Sequence, residues 1–158
     1  MAATDQAITA ADIVRSMSLN THDKASALAG VPLFAGISDE SMERLAAVAG
    51  EQDFGAGQFI VRQGQVGTGL YVILSGSVKV LRGADELAHL RAGEFFGELS
   101  VIDQQPRNAS VQAAEPTQVL ALASWDLLGL LESDSQMSLN MIKSLVARIR
   151  SAGEQHRH

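Results

Sequence analysis

The 158 residues include no cysteine. This excludes disulfides, thiolate metal sites and a cysteine nucleophile. Proline is also scarce, with three residues against fourteen glycines; that ratio favours tight turns and β-structure over a helical bundle. No window approaches the ~18–20 consecutive apolar residues that span a bilayer, and the longest apolar tracts, Leu70–Leu74 among them, are strand-sized. The start, MAATDQAITA, lacks a basic segment followed by an apolar run, so no signal peptide is expected and the cytoplasm is the expected compartment. Positive charge is in deficit: twelve Lys and Arg against eighteen Asp and Glu give a net charge of −6 and a pI near 5.1. This argues against a nucleic-acid surface, which normally rests on clustered cations. His22, His89, His156 and His158 do not form a metal set, and the His-x-His spacing falls at the chain end. No Ser/His/Asp arrangement is visible either. Neither an enzyme nor a metal or cofactor site is therefore expected.

What is present suits one domain with a real core: 46 % apolar and 19 % charged residues. Thr9-Ala10-Ala11-Asp12 has capping-box spacing with Asp in place of Glu, and predicts a short helix to about Ser18. A second helix is expected over Asp23–Ala29, ended by Gly30 and Pro32. Ser38 caps a third, with Asp39 and Glu40 favourable to its dipole, and Gly50 ends it. From Glu51 the period changes. Strand-like runs appear at Gln58–Arg62, Leu70–Ser75, Ser77–Arg82, Glu86–Leu90, Ala109–Ala113 and Gln118–Leu122, punctuated by glycines. No helical pattern separates them, so the expectation is an antiparallel sandwich, roll or barrel rather than βαβ units. After Ala123 the helical period returns: Ser124 caps a helix with Trp125 in the core, and after a break at Ser133–Ser135 an amphipathic helix runs to about Arg150.

One segment reads as more than core. In FFGELSVIDQQPRNASV a glycine precedes Glu98, and Arg107 follows ten residues after Gly97. If Glu98–Ile102 turns as a short helix, its first backbone N–H groups lack internal partners and can cradle an anion. The planar fork of Arg107 matches a phosphate bidentately. Glu98 would repel a phosphate but accept hydrogen bonds from a neighbouring hydroxyl. A phosphate joined to a sugar meets both demands; the alternative is that Glu98 and Arg107 simply pair and staple the loop.

The surrounding sequence adds a family. VPLFAGISDESMERLA before the roll, FGAGQFIVRQGQVGTGLYVILSGSVKV through its early strands and AGEFFGELSVIDQQPRNASVQA resemble the cyclic nucleotide-binding domain family, the module of the catabolite activator protein, cyclic-nucleotide-dependent kinase regulatory subunits and cyclic-nucleotide-gated channels. The resemblance runs from about Leu28 to Ile149. It implies a mainly β fold, an antiparallel jelly-roll-like β-roll with N-terminal helices and two C-terminal helices. It also implies a regulatory module that binds a cyclic nucleotide and rearranges its terminal helices in response. Glu98 would accept from the ribose 2′-hydroxyl and Arg107 would hold the exocyclic phosphate oxygens. Backbone N–H groups around Gly97, Leu99, Ser100, Asn108 and Ala109 would complete the cradle. Ser100 stands where the family commonly has alanine, and Asn108 where relatives often carry Ala, Ser or Thr. A threonine there is associated with cGMP in some relatives, so its absence leans toward cAMP.

The family usually closes the site with its last helix. Here Ile142, Leu145 and Val146, with Leu139 and Ile149, either cover the purine or pack on the roll. No aromatic residue follows Trp125, so stacking the base under a C-terminal aromatic is not available. The three-four-three spacing of Leu139, Ile142, Val146 and Ile149 also suits a two-helix seam, so a homodimer or a protein partner at the terminal helices is expected. The expected organisation is an extension over 1–22, mobile in its first residues, the binding domain over 23–150 and a mobile tail over 151–158. No helix-turn-helix, channel or kinase segment follows, which reads as a free-standing sensor or an excised domain. The alternative function is a structural or interaction domain of the same fold that has lost or changed its ligand.

Overall fold

A computed structural model describes residues 19–156; the helix expected over Thr9–Ser18 lies outside the described residues. The first helix, α1 (Thr21–Ala29), starts two residues earlier than expected because Asn20 caps it: its Oδ1 accepts from the Asp23 N–H at 2.8 Å. A 3-10 turn at Pro32–Phe34 leads to α2 (Asp39–Val48), where Ser38 Oγ accepts from the Ser41 N–H at 3.1 Å. Gly50 does not end α2. The helix closes at Ala49, and Gly50 is already the first residue of β1 (Gly50–Phe54).

Eight strands follow: β1, then β2 (Phe59–Val61), β3 (Gly69–Ser75), β4 (Ser77–Arg82), β5 (Asp85–Arg91), β6 (Phe95–Phe96), β7 (Ser110–Ala113) and β8 (Thr117–Ala123), with α3 (Glu98–Asp103) between β6 and β7. They form two antiparallel four-stranded sheets, in the orders β1-β8-β3-β6 and β2-β7-β4-β5. This is the mainly β roll with helices at both ends that the sequence predicted. The two strands not foreseen are β1, whose GEQDF carries no alternating apolar face, and β6, only two residues long.

Strand alternation divides the core in two. Leu70 and Val72 of β3 with Leu120 and Leu122 of β8 face the helices, packing against Leu28, Phe34, Leu45, Leu127 and Met137. Next to them in sequence and on the opposite strand face, Ile73 and Val119 turn to the other sheet and meet Val61, Val78, Phe96 and Val111.

Helix α4 (Ser124–Ser133) buries Leu127 and Leu130, but Trp125 is not core. It stands 70 % exposed, because two residues before Leu127 is the opposite helix face. Ser124 is likewise not the cap; it is the first helical residue after Ala123, and its Oγ is buried without a partner.

The last helix, α5 (Ser135–His156), runs six residues beyond Arg150. Asp134 caps it, accepting from Gln136 N at 3.0 Å and Met137 N at 3.2 Å. Its other oxygen accepts from Ser41 Oγ at 2.7 Å and Ser38 N at 3.3 Å, which ties the start of α5 to the start of α2. The Ser41 hydrogen bond, followed by these backbone bonds, holds the Asp134 carboxyl below the ordinary carboxylate range. Asn140 adds a second tie, donating to Leu33 O at 3.0 Å and Ala35 O at 2.7 Å.

Candidate cyclic nucleotide site

Arg107 is positioned by its own backbone. Its N–H donates to Gln65 O and its carbonyl accepts from Gly64 N, each at 2.8 Å, and Pro106 bridges to Val66. The β2–β3 loop therefore clasps the residue and directs its side chain inward, where it is only 8 % exposed. Nη2 donates to Gly69 O at 2.9 Å, and Cζ lies 5.8 Å from the centre of the Tyr71 ring, which stacks on Phe96 at 5.2 Å. Nη1 is buried and has no hydrogen-bond partner among the described residues. Burial lowers the guanidinium pKa, but an arginine stays cationic at physiological pH. A buried donor on a cation with nothing to receive it is costly.

Gly97 is required twice. Its φ of +97° favours glycine, and a Cβ there would stand 2.7 Å from Arg107 Nη1 and 2.8 Å from Gly69 O. Glu98, the first residue of α3, is 3 % exposed. It does not pair with Arg107: among the described residues the ion pairs are Lys79–Glu86 and Glu98–Arg148. The loop-staple alternative is thereby overturned. Arg148 arrives from α5, fifty residues along the chain, and its Nη1 donates to Glu98 Oε1. Burial lowers its pKa in turn.

Both anchors open onto one cavity of about 340 Å³, within the range of small-molecule pockets. All seven residues of the expected cradle line it: Gly97, Glu98, Leu99, Ser100, Arg107, Asn108 and Ala109. Apolar side chains complete the wall, among them Val61, Val80, Leu90 and Phe95. Helix α5 contributes Ser144 and Arg148 to the wall rather than Ile142, Leu145 or Val146. Leu145 packs against the helix-side core, while Ile142 and Val146 are 56 % and 42 % exposed.

Residues 51–134 match the model of the cyclic nucleotide-binding domain. The chain belongs to this family. It is 36 % identical over 128 residues to the cyclic AMP receptor protein of Thermus thermophilus, covering 78 % of this chain and 59 % of that protein. It is 33 % identical over 100 residues to a cGMP-dependent protein kinase of Toxoplasma gondii, covering 63 % of this chain and 10 % of the kinase. The regulatory domain of Toxoplasma gondii PKA, solved with cAMP, superposes with a TM-score of 0.72 at 27 % identity, over 79 % of this chain and 49 % of that one. The chain thus spans about three fifths of the first relative's length and a tenth of the second's.

Two further wall residues are Arg82, which the sequence reading did not consider, and Arg148, which with Lys143 and Arg150 reads from sequence as a cation able to reach the ligand but more commonly solvated. For Arg148 a signal existed: it lies four residues after Ser144 and seven after buried Met141, on one helix face. Charges near the end of an amphipathic helix are usually solvated, which weighed against it. Among the described residues no helix is long and apolar enough to cross a membrane, and no three His, Asp or Glu gather as a metal set.

Proposed function

We propose that this cavity binds a cyclic nucleotide, with Arg107 on the exocyclic phosphate, Glu98 on the ribose 2′-hydroxyl, and the backbone of Gly97, Leu99, Ser100, Asn108 and Ala109 around them. The observation that carries the reading is the buried, unpartnered Nη1 of Arg107 in the same hollow as buried Glu98. A fold retained without its ligand would keep that donor buried for no return.

Cyclic AMP is the proposed ligand. Asn108 in place of threonine favours it, as do the Thermus thermophilus relative and the PKA regulatory domain solved with cAMP. Binding is read out through α5, since Arg148 places that helix on the carboxylate the ribose requires. The chain acts as a regulatory module without catalysis of its own, and passes its signal to a second copy or a protein partner. Leu139, Ile142, Val146 and Ile149, all exposed, form the seam proposed for a second copy.

A thermal-shift panel of cAMP, cGMP, cyclic dinucleotides and AMP tests the reading. Ligand at a hundred times its dissociation constant adds about 2.7 kcal/mol, so cAMP should raise the melting temperature most. Silence across the panel refutes nucleotide binding; a larger response to cGMP refutes the preference.

A further inference from the structure

The cavity wall holds one more cation than the pairing of Arg148 with Glu98 and the assignment of Arg107 to the phosphate account for. Arg82 ends β4, where alternation puts it on the same face as Val80, also a wall residue, and Val78, buried between the sheets. The β4–β7 register sets Leu81 against Ser110, so Arg82 reaches the segment just after Arg107. Its Nε donates to Asn108 O at 3.3 Å, a long bond. Neither ion pair found among the described residues involves it. Asp85 is its register partner across the hairpin, yet those two do not form an ion pair. Of the four charges lining the hollow, Glu98 and Arg148 offset each other. Arg107 and Arg82 are left without a counter-ion among the described residues.

We infer that Arg82 is a second phosphate-side cation of this site. It draws the anionic group of the ligand toward the residue 107–109 segment and shares the phosphate with Arg107. The inference rests on the cyclic nucleotide reading and adds to it a residue that the family resemblance did not supply. The two arginines differ in kind. Arg107 is buried and fixed, so its contact is short-range and resists salt. Arg82 is exposed, so its attraction is long-range and screened by salt.

The test is calorimetry of cAMP binding to the full chain at about 50 and about 300 mM salt, a range in which the screening length shortens from above ~10 Å to below it. Wild type is compared with Arg82→Gln and with Arg91→Gln. The latter makes the same change in net charge at an exposed β5 residue off the cavity wall. The expected result is a loss of about three- to tenfold for Arg82→Gln at low salt, narrowing at high salt. Arg91→Gln should stay within about twofold of wild type, since rim charges far from the ligand are screened. Wild-type binding with Arg82→Gln matching either wild type or Arg91→Gln at both salts overturns the inference and leaves the nucleotide reading intact. A wild-type chain that binds no cyclic nucleotide overturns both.

Discussion

Arg148→Ala is the perturbation that most directly interrogates the site. Glu98 is 3 % exposed and its one ion-pair partner among the described residues is Arg148. Removing one member of a fully buried pair costs about 3–5 kcal/mol, because the other charge stays desolvated. The Arg148 side chain, however, is 52 % exposed, so water reaches the pair and part of that penalty is screened. We therefore expect a loss of about 1–3 kcal/mol, between the exposed and buried limits. For a chain of this length each 1 kcal/mol moves the melting point by about 2–4 °C. The assay is thermal and urea unfolding of wild type, Arg148→Ala, Glu98→Gln and the double variant without nucleotide. If the pair is real, the double variant loses much less than the sum of the singles, with a coupling of at least about 1 kcal/mol. Additivity within about 0.5 kcal/mol, the behaviour of independent sites, would refute the pairing and with it the route from cavity to α5.

Three further outcomes are expected. Arg107→Ala should weaken cAMP binding at least tenfold, since a charge-assisted bond contributes about 1.5–3 kcal/mol and ~1.4 kcal/mol is a decade; unchanged calorimetric affinity would remove the phosphate role. Glu98→Gln should weaken cAMP more than 2′-deoxy-cAMP, and equal losses on both would take Glu98 off the ribose. Asp134, its carboxyl pKa depressed by Ser41 and the backbone donors, stabilises the fold above its unfolded pKa of about 4. That contribution disappears as pH falls through the lower folded value. Asp134→Asn should thus lower stability at pH 7 and flatten the acid limb of the stability profile; an unchanged acid limb in equilibrium unfolding would contradict this.

How far the sequence disclosed this molecule follows from which signals are local. The six apolar strand runs were legible because alternation and turn glycines are local, and Ser38 was legible because a cap is a single residue with a fixed offset. GEQDF was not, since β1 pairs through its backbone with β8 while exposing most of its side chains. Trp125 was misplaced because residue type suggested burial, whereas helix phase decides which face is buried. Glu98 and Arg107 were legible as chemistry, and the fold brings them into one hollow. That they avoid each other depends on Gly69 and Arg148, which come from elements far away in sequence. Arg82 was hidden for a similar reason, since only the β4–β7 register puts it beside Asn108.

The two ends of α5 are held differently, and this bears on how a bound nucleotide would be sensed. Its first two turns are locked: Met137 and Met141 are buried, Asp134 ties the start to α2, and Asn140 bonds two carbonyls around the 3-10 turn. Beyond Met141 none of its described residues is buried. That portion rests on half-buried Leu145 and on Arg148 reaching Glu98. Segments with few buried apolar contacts open at low free-energy cost, so on the proposed reading the part of α5 that responds begins near Ile142 and not at the Asp134 break. On the proposed reading, a ribose hydroxyl arriving at Glu98 acts about 10 Å along the helix from the last buried residue, at 1.5 Å per residue over the seven residues from Met141 to Arg148. The contact it alters is the one polar tie identified there. Ile142, Val146 and Ile149 lie on the same stretch, so any shift in Arg148 moves the seam proposed for a second copy while Leu139, closer to the anchor, stays in place.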